Sequence, residues 1–348
     1  MTINRPSSRT RRQTRHLVGQ AVLVVVHVAA VLLGALLSTA EAKKAAEAKT
    51  KLTQLEEQIR AAGGRLDRND YRPGNPVDEV VLVGPSVGDA EMKLLTGLKL
   101  TDLENCFFTK ASITGDGLRH LAGATNMVTL KLSETKIDDD ALQHLRGMVH
   151  LRELRLYKTN ISDKGLEHLK PLKSLRLLQL DSTKVAGAGL IHLADLNDLH
   201  ELDLDDCPVT DAALVHLEGL ESLLELNLAG TKVTDAGLKH LRHLPKLYGL
   251  SLSRTKVTGS GLAHVKDPKT VQSLKLGLTK VNDASLKHLD RFVNLYGLVL
   301  ERTQITDAGL ERLTRFKELG SLDVSYTKVT KAGVARFKQA LPECHVRD

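Results

Sequence analysis

Tryptophan is absent from this 348-residue chain, aromatic residues make up only 3% of it, and there are three cysteines. So few cysteines exclude a disulfide-built scaffold, and an interior short of aromatics must be filled with aliphatic side chains. A charge bias is missing from most of the chain. Residues 77–348 hold thirty-six Lys/Arg against thirty-six Asp/Glu, so the formal net charge of +7 comes wholly from residues 1–76, with thirteen against six. A nucleic-acid binder carries its basic excess on the folded domain, and that reading is set aside. No P-loop, dinucleotide fingerprint, nucleophile elbow or Cys/His zinc spacing occurs. No enzyme activity, cofactor, metal or small-molecule substrate is therefore expected. At 42% hydrophobic and 26% charged, the chain is neither disordered nor a multi-span membrane protein.

One long apolar run is present. Leu17–Leu37 is twenty-one residues without a formal charge beyond His27, enough for roughly 30 Å of hydrocarbon. Five arginines precede it, and it exceeds the ~7–15-residue core of a cleaved signal. A single-pass anchor is expected, with the repeats on the extracytoplasmic side; small residues at Ser38–Ala40 and Ala40–Ala42 keep open a cleaved signal and a secreted product. The chain divides into a basic tail (1–16), the anchor or signal segment (17–37), a juxtamembrane helix and linker (38–76), and a repeat domain (77–348). The helix expectation rests on EAKKAAEAKTKLTQLEEQIRAA, residues 41–62, rich in strong helix formers. Gly63–Gly64 ends it, and Arg72-Pro-Gly-Asn-Pro76 is turn-rich.

From residue 77 onward the sequence repeats. Copies begin at Leu103, Met127, Leu151, Leu175, Leu199, Leu223, Leu247, Val271, Leu295 and Leu319, always twenty-four residues apart, and a divergent copy with two extra residues begins at Val77. In LLELNLAGTKVTDAGLKHLRHLPK, residues 223–246, apolar residues fall at positions 1, 4, 6, 11, 16, 19 and 22. The 4/6 alternation has strand period, and the 16/19 spacing has helix period. One strand and one helix cannot bury that set alone, whereas stacked copies can. The expected architecture is an α/β solenoid: a parallel sheet on the concave face and helices on the convex face. Strands stack ~4.8 Å apart and helices need ~8–10 Å, so a horseshoe is expected.

The pattern LxxLxLxxTxVTDxGLxxLxxL, held over ten consecutive copies, resembles the leucine-rich repeat family, and is most similar to the 24-residue ribonuclease-inhibitor-like class. The resemblance implies binding of another protein through the concave face. The alternative it implies is an intracellular substrate-recognition scaffold similar to F-box-associated repeat proteins. The family's Asn at position 9 is here Thr (Thr135, Thr159, Thr183, Thr231, Thr255, Thr279, Thr303, Thr327), with Cys207 and Ala111 as exceptions. A Thr hydroxyl supplies one donor, so a Thr ladder is expected to replace the Asn ladder, with a looser turn at Ala111. Thr/Ser–Asp at positions 12–13 reads as helix capping and dipole chemistry. Gly at position 15 in seven copies reads as close approach of a neighbouring turn.

Two constellations invite chemistry. Position 18 is His in eight copies, from His120 to His288. Rings ~8–10 Å apart cannot share one ion whose ligands lie within ~4 Å, so boundary packing with hydrogen bonds to the adjacent copy is expected, together with acid sensitivity. On the concave face, Asp181, Glu201, Asp203, Asp205, Asp206 and Glu225 form an acidic patch, with a basic-aromatic patch of Arg155, Tyr157 and Lys158 upstream. These are the candidate partner-binding residues. A calcium site would need six to eight oxygens in a closed shell, which a flat strand does not supply.

Overall fold

The computed structural model describes residues 41–44 and 46–348. The expected anchor or signal at 17–37, and the basic tail before it, lie outside the described residues. Among the described residues no helix is long and apolar enough to cross a membrane. The chain divides into two units, 1–57 and 58–348. In the first, residues 46–57 are helical, and the helix runs on to residue 61.

The second unit is built on one thirteen-stranded sheet whose spatial order is its sequence order. The first strand, β1 (Arg65–Arg68), pairs antiparallel with β2 (Val77–Val81). Residues 65–68 were expected in a linker. They form a strand because the Pro/Gly/Asn segment folds them back onto Val77–Val81, with Asn69 Nδ2 donating to Asp78 Oδ2 at 2.8 Å. All later pairings are parallel. Each strand from β3 (Asn105–Phe107) to β12 (Ser321–Asp323) is three residues long and stands twenty-four residues from the next in register, as Leu202↔Leu226↔Leu250 illustrates. Between β2 and β3 the offset is twenty-six, Glu79↔Asn105, which places the two extra residues. β13 (His345–Arg347) closes the sequence of strands.

Each copy contributes its apolar positions to one continuous interior. In residues 223–246, Leu223, Leu226, Leu228, Val233, Leu238, Leu241 and Leu244 are all 1% exposed or less. The position-9 threonines are buried beside them, except the half-buried Thr327, and each hydroxyl donates to the backbone carbonyl three residues earlier, as in Thr231 Oγ1 to Leu228 O at 2.6 Å and Thr255 Oγ1 to Leu252 O at 2.6 Å. Cys207 reaches instead to the preceding copy, its Sγ donating to Leu180 O at 3.1 Å.

The convex elements depart from expectation. Most are 3₁₀ helices, among them Asp140–Leu145, Asp211–Leu217, Gly237–His243 and Asp283–Leu289; α-helices appear in the first copies, at Asp89–Leu94 and Gly115–Leu118, and in the last, at Asp307–Leu313 and Lys331–Ala340. A 3₁₀ turn rises ~2.0 Å per residue against 1.5 Å in an α-helix, so six or seven residues return the chain across the core. The horseshoe expectation rested on full α-helices, and slimmer turns weaken that premise.

Positions 12, 13 and 15 form a second ladder between copies. Asp211 accepts from Thr234 N and Thr234 Oγ1 of the next copy, both at 2.7 Å. Asp89, Asp139, Asp235, Asp283 and Asp307 do the same for Thr114, Ser162, Thr258, Thr306 and Thr330. The glycine at position 15 is what lets the carboxylate in. A Cβ on Gly237 would lie 2.4 Å from Asp211 Oδ1, and one on Gly309 would lie 2.3 Å from Asp283 Oδ1. Where position 13 is glycine instead (Gly115, Gly187, Gly259), position 15 of the next copy carries a side chain: Ala141, Ala213 and Ser285. The close approach expected at position 15 is therefore to the preceding copy's aspartate, whose duty is tethering rather than only dipole stabilisation.

Candidate partner-binding face

Strand residues alternate between the interior and the open face of the sheet, so positions 3 and 5 of every copy look outward. On β5 (Glu153–Arg155) to β11 (Gly297–Val299) they enclose a concavity of about 560 Å³. Its walls include Arg155, Gln179, Glu201, Asp203, Glu225 and Asn227 on one side; its other side carries the small residues Gly249, Ser251, Ser273 and Gly297 together with Gln272 and Lys275. Tyr248 and Tyr296 rise at its edge, 44% and 61% exposed.

The nine residues expected to meet a partner separate into groups. Glu201, Asp203, Glu225 and Arg155 line the concavity. Asp205 and Asp206 are held by Arg254 from two copies on, with Nη2 to Asp205 Oδ1 at 2.5 Å and Nη1 to Asp206 Oδ1 at 2.8 Å. The arginine crosses Gly230, whose left-handed φ of +65° occupies a position where a Cβ would sit 2.1 Å from Asp206 Oδ1. Asp181 stands beside this group. Its Oδ1 is buried without a hydrogen-bond partner among the described residues, and burial, then the charge of Asp203, pushes its carboxyl up to about 6. Burial likewise raises Asp205, against the pull of Arg254.

Upstream, Lys158 Nζ lies 4.8 Å from the Tyr157 ring centre, a cation–π contact. Arg155 donates from Nε to Glu153 Oε1 at 2.6 Å, so the basic-aromatic patch is partly neutralised by its own neighbour. Tyr157, Lys158, Asp181, Asp205 and Asp206 fall outside the concavity lining. Reading only positions 3, 5, 7 and 8 missed Tyr248 and Tyr296, which sit at position 2. The visible signal was the recurrence of Leu-Tyr-Gly-Leu at 247–250 and 295–298.

The histidine column is half-buried along the convex side, apart from the exposed His264. His168 Nδ1 is buried with no hydrogen-bond partner among the described residues, and the expected cross-copy bond is present at His240, whose Nδ1 meets Glu218 Oε1 of the preceding copy at 2.6 Å. That bond, first, holds the Glu218 carboxyl below the usual carboxylate range. Burial, then the charge of Arg119, lowers His144.

A single sheet, parallel from β2 onward and climbing one strand per repeat, defines a repeat solenoid. Two of its units, residues 147–170 and 219–241, match the sequence profile described as Leucine Rich repeat. Among solved structures the chain is similar to an internalin (inlF) from Listeria monocytogenes, at 19% identity and TM-score 0.54, over 78% of this chain and 86% of that one. A second similar structure is the LRR ectodomain of the plant membrane receptor kinase GASSHO1/SCHENGEN3 from Arabidopsis thaliana, in complex with CASPARIAN STRIP INTEGRITY FACTOR 2. It is 18% identical at TM-score 0.47, with 73% of this chain covering 37% of that one. No curated protein matches the chain. The chain therefore has a repeat-solenoid fold, and two of its segments match the leucine-rich-repeat profile.

Proposed function

We propose that this protein recognises another protein through the open face of its sheet, centred on Glu201, Asp203 and Glu225, and that it performs no catalysis. The observation that carries this reading is the 560 Å³ concavity itself, spread over several strands and ringed by polar side chains. It spans several strands and is lined by charged and polar side chains, the character of a surface for a partner's side chains. The repeats are read as the 24-residue ribonuclease-inhibitor-like class, with the threonine ladder in the place of the family's asparagines. Membrane tethering through residues 17–37, with the repeats outside, is part of the proposal and is supported by the length and apolarity of that run.

Site-specific photo-crosslinking tests the recognition reading. A crosslinker at Ser251, inside the concavity, is expected to give a discrete protein adduct that Asp203→Lys/Glu225→Lys abolishes. The same probe at Val215, exposed on the convex side, is expected to give none. Equal adducts from both positions, or none from Ser251, would overturn it. Protease added to intact cells is expected to degrade the repeats; protected repeats would reverse the orientation.

A further inference from the structure

Several carboxylates on the sheet are neutralised by the chain's own cations. Glu153 faces Arg155 and Lys131, Asp205 and Asp206 face Arg254, and Asp323 faces Arg347. Asp181 and Asp203 have no such cation among the described residues, and neither have Glu201 and Glu225. The two glutamates are register partners on adjacent strands, Glu201↔Glu225, so two like charges stand side by side, an arrangement that disfavours the sheet. Neither makes an ion pair or a side-chain hydrogen bond among the described residues. Burial, then the charge of Glu225, raises the Glu201 carboxyl.

Arg155 and His200 pull the Glu201 carboxyl down, more weakly than burial and Glu225 push it up, and, among the described residues, Lys275 lines the same concavity without pairing with either glutamate. Position 3 changes from Glu201 and Glu225 to Gly249, Ser273 and Gly297, none of which reaches back. Glu225 leans into the space so made, for a Cβ on Gly249 would meet its Cγ at 3.3 Å. Tyr248 borders the same space and also a smaller apolar recess formed with Leu224, Pro245 and Thr270. Tyr296 lies over Gly320, where a Cβ would come within 2.4 Å of the ring, and so leaves the floor open. Two copies separate the tyrosines, about 10 Å at strand spacing. Paired carboxylates, a flat aromatic face and a cleared floor are what a guanidinium or ammonium needs: charge-assisted hydrogen bonds on one side and cation–π contact on the other.

We propose that the partner is a protein segment that inserts an arginine or lysine side chain between Glu201, Glu225 and Tyr248. This rests on the recognition reading above and adds the chemistry of the occupant. Charge complementarity fixes the sign. Arginine is favoured over lysine because its planar fork meets two carboxylates while stacking on a ring.

Fluorescence anisotropy with the full chain and a short labelled peptide carrying two arginines in a Gly/Ser frame tests the inference. Saturable binding is expected, weakened tenfold or more by Glu201→Gln/Glu225→Gln, severalfold by Tyr248→Ala, and unchanged by Glu343→Gln, an exposed carboxylate near the C-terminus. The matched glutamate peptide is expected not to bind. Since the variants must fold, a second measurement uses the wild type alone: carbodiimide coupling of the lysine form of the peptide is expected to label Glu201 or Glu225 by mass spectrometry. Absence of saturable binding, equal binding by the double glutamine variant, or coupling only elsewhere would overturn the inference. If Ser251 photo-crosslinks persist in that event, recognition stands with another occupant; if they too are absent, both readings fall.

Discussion

Gly237→Ala is expected to destabilise the protein although it replaces glycine by the best helix former. The added Cβ would lie 2.4 Å from Asp211 Oδ1 and 3.0 Å from Asp211 Cα. Since a backbone atom is among the contacts, side-chain rotation alone does not relieve it. The carboxylate must leave, and with it go the two bonds from Thr234 at 2.7 Å. Overpacking costs ~1–3 kcal/mol, and each lost bond to a charged group ~1.5–3 kcal/mol before water compensates. Alanine's helical preference and the stiffer unfolded chain return up to about 1 kcal/mol each. The net expectation is a loss of about 2–3 kcal/mol. Asp211→Gly alone should lose about 1–3 kcal/mol, by vacating the bonds. The double variant recreates the Gly115/Ala141 and Gly187/Ala213 pairs that the chain already contains. It should therefore be no less stable than Asp211→Gly, with a coupling of about 1–3 kcal/mol. Urea denaturation followed by far-UV circular dichroism, with tyrosine fluorescence as a second probe because stacked repeats need not unfold in one step, gives the cycle. Additive losses would refute the steric lock.

Thr231→Val, nearly isosteric, removes the hydroxyl donor to Leu228 O and should cost about 1 kcal/mol, since that carbonyl keeps the Thr231 N–H; an unshifted urea midpoint would show the ladder to be neutral. Asp181 has a folded pKa of about 6, above its ordinary 3.8, so the folded state binds more protons between those values and gains stability as pH falls from 7 towards 4. Asp181→Asn should raise the melting temperature at pH 7.5, by the equivalent of about 1 kcal/mol once solvent screening of a half-exposed group is allowed for, and should flatten that trend; a lowered melting temperature would contradict it. Asp235 behaves oppositely. Burial pushes its carboxyl up, but bonds from Thr258, Gly261 and Gly259 outweigh this and hold it below 3.8. Its stabilisation is full above the unfolded value and is lost as pH falls through the folded one, so Asp235→Asn should flatten the acid limb of the urea midpoint between pH 5 and 2.

Two ladders divide the labour of this fold. Threonine hydroxyls close the turn within each copy, and aspartates staple one copy to the next, both away from the strand positions that face outward. The open face is thereby released from structural duty, which lets Gly249, Ser251 and Ser273 be small and lets Glu201 and Glu225 stay without cations.

Period and pattern alone determined the solenoid: an apolar set that one copy cannot bury dictates stacking, and constant spacing dictates register, so Leu226 pairs with Leu202 and Leu250 without reference to coordinates. The burial of the threonines and the crowding at position 15 were legible for the same reason, as columns recurring in every copy. What the tertiary structure decided were relations between copies at non-equivalent positions. The Asp211–Gly237 contact joins position 13 of one copy to position 15 of the next, and Arg254 reaches Asp206 only because Gly230 between them has no side chain. The 3₁₀ form of the convex turns is likewise set by the width they must cross. A residue's column follows from the local pattern, but which side chains of other columns it touches depends on how far each copy is advanced and rotated, and only the packed stack sets that.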